Sequence, residues 1–211
     1  MSQRAKTLPS RGQLLEAAIE SFATLGYQGT SIDRIARAAG VTKGAIYYHF
    51  KDKEELLFET VRNRIVEFES QVLAETSPED DAFAVLRRVV DACFVTATES
   101  NHRRFIMTLM IEALGTNPDL SDVFRLELRR MRAFLADVVR RGQDVGGVRS
   151  DVLPDEAAAL VVSAIMGAEI QHYQDPERID LRAVLDLELR QLGEWLRPAS
   201  ARSVQQGERT W

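Results

Sequence analysis

The chain has one cysteine, Cys93, six prolines and three histidines. One thiol excludes a disulfide framework and any Cys-x-x-Cys metal site. His49, His102 and His172 lie far apart and form no His-x-x-x-His pair. Nucleophile-elbow, phosphate-loop and dinucleotide fingerprints are also missing. The chain therefore reads as a non-enzyme with no cofactor. Long apolar runs are absent too. The longest uncharged apolar-rich stretch, Ala157–Ala168, has twelve residues; a bilayer span takes ~20. The opening MSQRAKTLPSRG has no apolar core and does not read as a secretory signal. These absences point to a soluble, cytoplasmic protein with no membrane partner.

Hydrophobic residues make up 45% and charged residues 28%, which excludes disorder over most of the chain. The 211 residues correspond to about 1.4 domains of roughly 150 residues. The net charge of −5 argues against a nucleic-acid partner, but its distribution argues for one. Residues 1–53 hold eight Lys/Arg and four Asp/Glu, a net of +4. The remaining 158 residues hold 19 basic and 28 acidic side chains, a net of −9. A basic head sits on an acidic body.

The six prolines, Pro9, Pro78, Pro118, Pro154, Pro176 and Pro198, mark helix boundaries. Between them, apolar residues recur at spacings of three and four, the repeat of one helical face. The first helix spans about 11–25, with a Ser10/Gln13 capping box. Leu14, Leu15, Ala18, Ile19 and Phe22 form its buried face, and Gly26 ends it. A second, short helix starts at Thr30 or Ser31 and breaks at Gly40; a third runs from Thr42 to about His49. The fourth runs from about Asp52 to 75. Five more follow, the last carrying Leu181, Leu185, Leu189, Leu192 and Leu196 in line. No stretch alternates with period two. The fold class is all-α, about nine helices.

The segment Thr30–Phe50 reads TSIDRIARAAGVTKGAIYYHF. Two short helices joined at a glycine turn are the requirement of a helix-turn-helix. Ala36 and Ala39 permit close approach, Gly40 supplies the turn, and Ile46 and Phe50 anchor the second helix inward. That helix presents Thr42, Lys43, Gly44, Ala45, Tyr47 and Tyr48 outward, placed to enter a major groove by its N-terminal end. Lys43 can donate to guanine acceptors or a phosphate. Gly44 and Ala45 remove bulk, so the backbone can approach base edges. Tyr47 offers a flat ring and a hydroxyl; Tyr48 either joins it or packs. His49, Lys53 and Thr30 or Ser31 suit phosphates.

Residues 10–57 resemble the DNA-binding head of the tetracycline-repressor (TetR) family of bacterial regulators. The resemblance is carried by Phe22-x-x-x-Gly26, the run Ile35–Val41, the run Thr42–Phe50 and Lys53-x-x-Leu56, without a gap. It implies a homodimeric regulator, usually a repressor, bound to a palindromic double-stranded operator and released by a small molecule. It places base contacts on Thr42, Lys43, Gly44, Ala45 and Tyr47, with Tyr48 beside them. It places phosphate contacts on Thr30 or Ser31, His49 and Lys53. A regulator without a small ligand, controlled by a protein partner or by abundance, is the alternative.

The division expected is a DNA-binding head at 1–55 with its helix-turn-helix at about 31–50, a ligand-binding and dimerising body at 56–197, and a flexible tail at 198–211. The last two helices suit an intermolecular four-helix bundle through Leu160, Val161, Ala164, Ala168, Leu185, Leu189, Leu192 and Trp195; a core within one chain is the other reading. Phe58, Phe94, Phe105, Met107, Met110, Met131, Phe134 and Met166 are candidate lining for a ligand whose identity the sequence does not specify. Glu112, Glu169, His172 and Tyr173 either orient a polar ligand group or face water. Cys93, on an apolar stripe, reads as a buried, inert thiol.

Overall fold

A computed structural model describes residues 10–74, 76–77 and 80–199. The segment 200–211 of the expected tail, and Pro78, lie outside the described residues. Nine helices are found among the described residues: α1 (Arg11–Gly29), α2 (Ile32–Ala38), α3 (Lys43–His49), α4 (Lys53–Ala74), α5 (Ala82–Glu99), α6 (His102–Glu112), α7 (Pro118–Asp144), α8 (Pro154–Gln174) and α9 (Leu181–Leu196). There is no strand among them.

The helix boundaries follow from local chemistry. At the start of α1, Ser10 Oγ accepts from the Gln13 amide and the Ser10 amide donates to Gln13 Oε1. This is the expected capping box. Ser31, Thr42, Asp52 and Asp180 each accept a backbone amide three residues on, satisfying a donor that the first helical turn leaves open. Gly26 breaks α1 with φ 71°, so that helix continues past its expected end only across a kink.

The chain divides into two compact units, Met1–Phe68 with Ser100–Val123, and Glu69–Glu99 with Phe124–Trp211. The divisions fall inside α4, between α5 and α6, and inside α7. The first unit contains α1–α3 and, unlike the expected head, also α6. The cause is a contact that sequence spacing cannot reveal. Phe105 of α6 stacks on Phe22 of α1, centroids 6.1 Å apart and rings within 10° of parallel. His102 Nε2 lies 3.0 Å from Glu20 Oε1. The core of this unit includes Leu14, Ile19, Phe22, Ile35, Ile46, Phe50 and Leu56, all buried.

In the second unit α5, α8 and α9 pack together. Leu86, Val90, Val161, Ile165 and Leu185 come together around one small void, and Val85, Val89, Cys93, Ala157 and Ala168 are buried as well. The buried thiol agrees with the sequence reading. Arg182 ties α9 to α5 through Asp91 at 2.6 Å and also pairs with Asp186 at 3.1 Å. Gly142, near the end of α7, allows a close approach: a Cβ there would lie 2.5 Å from Val148 Cγ2 and 3.0 Å from Ala82 Cβ. Glu169 is fully buried rather than facing water. His172 Nδ1 sits 2.8 Å from the Ile179 carbonyl and ties the end of α8 to the turn before α9.

Candidate nucleic-acid interface

The turn between α2 and α3 is a Schellman motif built on Gly40. With φ at 66°, the glycine occupies the left-handed region that side chains avoid. Its amide donates to the Arg37 carbonyl at 3.1 Å, and the Val41 amide to the Ala36 carbonyl at 2.9 Å. Thr42 then starts α3 immediately. Ile46 and Phe50, at 0% and 2% exposure, face the core and fix the rotation of α3.

That rotation decides what α3 presents. Thr42, Lys43 and Gly44 are exposed, Ala45 is half-buried, and Tyr47 and Tyr48 are exposed. Tyr48, at 74%, is not packed into the core. Lys43 Nζ forms an exposed pair with Asp33 Oδ2 at 3.1 Å and lies 5.9 Å from the Tyr47 ring centroid. The hydrogen bond to Asp33, and then its charge, push the Lys43 ammonium above its ordinary value. In the free protein the leading cation of α3 is thus held by α2.

The phosphate candidates separate on inspection. Ser31 is exposed and caps α2. Thr30 is not available through its side chain, which is 2% exposed. Its hydroxyl turns inward and donates to the carbonyls of Gly26 at 2.8 Å and Ser21 at 3.1 Å, tying off the kinked end of α1. Lys53 is engaged in the same closure. Its ammonium donates to the Tyr27 and Thr30 carbonyls, both at 3.0 Å, and sits 4.1 Å from the Tyr27 ring centroid. Two of its three donors are therefore used internally. His49 is half-buried, with Nε2 enclosed and without a hydrogen-bond partner, edge-on to Tyr48 at 5.0 Å.

Sequence reasoning did not place Arg34, Arg37 or Lys51 at the phosphates; Lys51 taken alone reads as a solubilising charge. All three are exposed, and none has its side-chain charge paired with a carboxylate among the described residues. The charge count contained them, but nothing in their spacing separated them from Arg11, whose guanidinium pairs with Glu59 and lies over Phe50.

The expected ligand and dimer residues also divide. Phe58, Phe105, Met107 and Met110 belong to the first unit, and Phe94, Met131, Phe134 and Met166 to the second. Met107 is buried and the others half-buried. Phe105 lines a cavity of about 430 Å³ within the first unit. In the second unit the void among α5, α8 and α9 measures about 10 Å³, room for one water, and none of the eight lines it. Of the dimer candidates, Val161, Ala168 and Leu185 are 2%, 0% and 1% exposed: they fill the protomer's own core, not an outer face. Ala164, Leu189 and Leu192 line the small void with Glu188. Burial pushes the Glu188 carboxyl up, and its Oε2 is enclosed without a partner. Leu160 and Trp195 are exposed, and so are Ile170 and Leu187, which the leucine row did not single out.

A glycine-turned pair of short helices presenting a small-residue, Lys- and Tyr-bearing face defines a helix-turn-helix protein. Comparison with known proteins makes this specific. Residues 14–60 match the family described as bacterial regulatory proteins, tetR family, and residues 82–197 match the C-terminal region of BetI-type transcriptional repressors. The HTH-type transcriptional repressor AcnR of Corynebacterium efficiens is 30% identical over 190 residues, covering 86% of this chain and 92% of that one. The fatty acid metabolism regulator protein of Bacillus subtilis is 23% identical over 176 residues, covering 83% and 90%. Among solved structures, a transcriptional regulator from Saccharomonospora viridis in complex with choline superimposes with a TM-score of 0.80 at 24% identity, covering 89% of this chain and 97% of that one. FadR from Bacillus subtilis in complex with stearoyl-CoA gives 0.77 at 21% identity, covering 89% and 100%. The chain belongs to the tetracycline-repressor family and is a helix-turn-helix DNA-binding transcriptional regulator. No described helix is long and apolar enough to cross a membrane.

Proposed function

We propose that the protein is a homodimeric repressor in the bacterial cytoplasm, bound to a palindromic operator and released by a small molecule. It acts by binding, not by catalysis. The observation that carries this reading is the face of α3. Thr42, Lys43, Gly44, Ala45 and Tyr47 read bases, with Tyr48 at the edge, while Ile46 and Phe50 lock the helix from behind. Ser31, with Arg34, Arg37 and Lys51, meets phosphates. His49 and Lys53 contribute by holding the head in shape.

The second copy packs on the outer stripes of α8 and α9, where Leu160, Ile170, Leu187 and Trp195 are exposed. Gly167 adds open space, since no atom lies within 4 Å of a Cβ built there. Head 1–55 binds DNA and body 56–197 dimerises and takes the ligand, with Phe94, Met131, Phe134 and Met166 as lining in the second unit. The ligands of the two structural relatives, choline and stearoyl-CoA, show no shared chemistry, so the ligand class is left to experiment. The 22 residues of α4 make a rod about 33 Å long that starts just after α3. A ligand that tilts it changes the spacing of two heads whose half-sites lie about 34–36 Å apart, or a multiple of that. The coupling required is about 1–3 kcal/mol.

A gel shift on DNA upstream of its own gene, titrated with salt, tests this. Specific binding that weakens with salt is expected; equal binding to random DNA overturns it. The alternative is a regulator controlled by a partner or by abundance. A ligand screen by thermal shift that moves no melting temperature supports that alternative.

A further inference from the structure

The cavity in the first unit is a half-open cleft of about 430 Å³, a volume in the size range of small-molecule sites. Neither the DNA-facing surface nor the proposed body site uses it. Its walls come from the end of α1, the first two turns of α4, one face of α6 from Phe105 to Glu112 with the turn that follows, and Leu120 at the start of α7. The apolar part includes Leu25, Leu57, Phe105 and Leu109; the polar part includes Tyr27, Glu54 and Glu112.

Its charge is one-sided. The last turn of α6 has no basic residue and ends on Glu112, so the carboxylate adds to the negative pole of the helix. Glu112 is exposed, and its carboxylate has no hydrogen-bond or ion-pair partner among the described residues. The last turn of α1 has no basic residue either. Lys53 serves that end from outside, and its ammonium is occupied by the Tyr27 and Thr30 carbonyls. Glu54 Oε1 accepts the Asn117 side-chain amide at 3.3 Å. Burial, then the charges of Glu54 and Asp52, push the Tyr27 hydroxyl up. Lys53 stands behind the cavity, 4.1 Å from the Tyr27 ring centroid, and among the described residues no Lys, Arg or His lines it. Nor do three metal-ligating side chains come together anywhere among the described residues, so a bare metal ion is a poor occupant.

An apolar wall with a negative rim and the unpaired Glu112 carboxylate at the end of α6, where the last turn carries no basic residue, selects a ligand with an apolar body and a positive head. We propose that this cavity binds an amphipathic organic cation, its ammonium at the Glu112 end of α6 and its apolar part against Phe105, Leu57 and Leu109. The site adjoins both flanks of the helix-turn-helix. Gly26–Gly29 lead directly into the Ser31 cap of α2, and Glu54 lies in the first turn after α3. An occupant restrains both flanks together and alters docking on DNA. The proposal concerns the first unit alone, and its binding test uses no DNA, so it stands or falls separately from the body site.

The test is calorimetry on the full-length protein with phenethylammonium chloride, beside 2-phenylethanol as the uncharged counterpart. The amine binds saturably and the alcohol at least about tenfold more weakly. Glu112→Gln weakens the amine by about tenfold and leaves the alcohol unchanged. Glu112→Lys, whose own ammonium takes the helix terminus, abolishes amine binding and raises the melting temperature. No saturable binding of the amine, equal binding of amine and alcohol, or an unchanged affinity in Glu112→Gln overturns the site. Amine binding that leaves the gel shift unaltered overturns its link to DNA.

Discussion

The Asp33 carboxylate holds the Lys43 ammonium at 3.1 Å, from α2 across to the leading residue of α3. The pair is exposed on both sides, so water screens it and DNA can compete for the cation. Asp33→Asn frees Lys43 and removes a negative charge from the DNA-facing side. Affinity for DNA should rise, and the salt dependence should steepen by about one unit of slope. A gel shift over a salt series measures both. An unchanged affinity would mean that Lys43 does not face the DNA. Melting temperature should fall slightly, because Asp33 also sits in the first turn of α2.

Lys53 and Arg34 should fail in different ways. Lys53→Met removes two hydrogen bonds from a charged donor to the end of α1, costing on the order of 2 kcal/mol of stability. Arg34→Ala touches no acidic partner and should leave the melting temperature unchanged while weakening DNA binding and lowering the salt slope. Thermal melts and gel shifts on the two variants separate the roles. The reverse pattern would return Lys53 to the DNA surface.

Dimerisation should depend on the outer stripe of α8 and α9 rather than on its buried one. Leu187→Asp, at a half-exposed position, should yield a folded monomer in analytical ultracentrifugation. Val161→Ala, at a sealed position, should cost about 2 kcal/mol of stability and leave the oligomeric state unchanged. A dimer that survives Leu187→Asp and Leu160→Asp together would place the interface elsewhere.

Acid stability has an identifiable contributor in Asp80. Hydrogen bonds from Arg88 and the Ser77 amide hold its carboxyl at about 2, below the ordinary 3.8. The depressed value means that the folded state favours the carboxylate. The contribution is complete above about pH 4 and is lost as pH falls through about 2. Asp80→Asn should lower the melting temperature at neutral pH and converge with the parent chain in strong acid. Glu188 acts in the opposite sense, because burial pushes its carboxyl up. Glu188→Gln should therefore stabilise at neutral pH, and the gain should vanish as pH falls below its ordinary 4.5.

The sequence by itself determined the helices, their caps and the recognition face. Each depends on residues within four positions of one another: Ser10 with Gln13, Gly40 with Ala36 and Arg37, Thr42 with Ala45, Ile46 with Phe50. Local hydrogen bonds and the 3.6-residue repeat are written in adjacent letters. Tertiary structure decided what each cap and charge was used for. Thr30 and Ser31 look alike in sequence, yet one hydroxyl closes α1 and the other caps α2. Lys53 reads as a surface cation until the bent end of α1 brings the Tyr27 and Thr30 carbonyls to it, 26 and 23 residues away. Val161 and Leu160 are neighbours of similar character, and only the packing of α5 and α9 against α8 seals one and leaves the other outside. The Phe22–Phe105 stack, which draws α6 into the first unit and borders its cavity, joins residues 83 positions apart. Contacts at that distance depend on how whole helices pack, which no local spacing encodes.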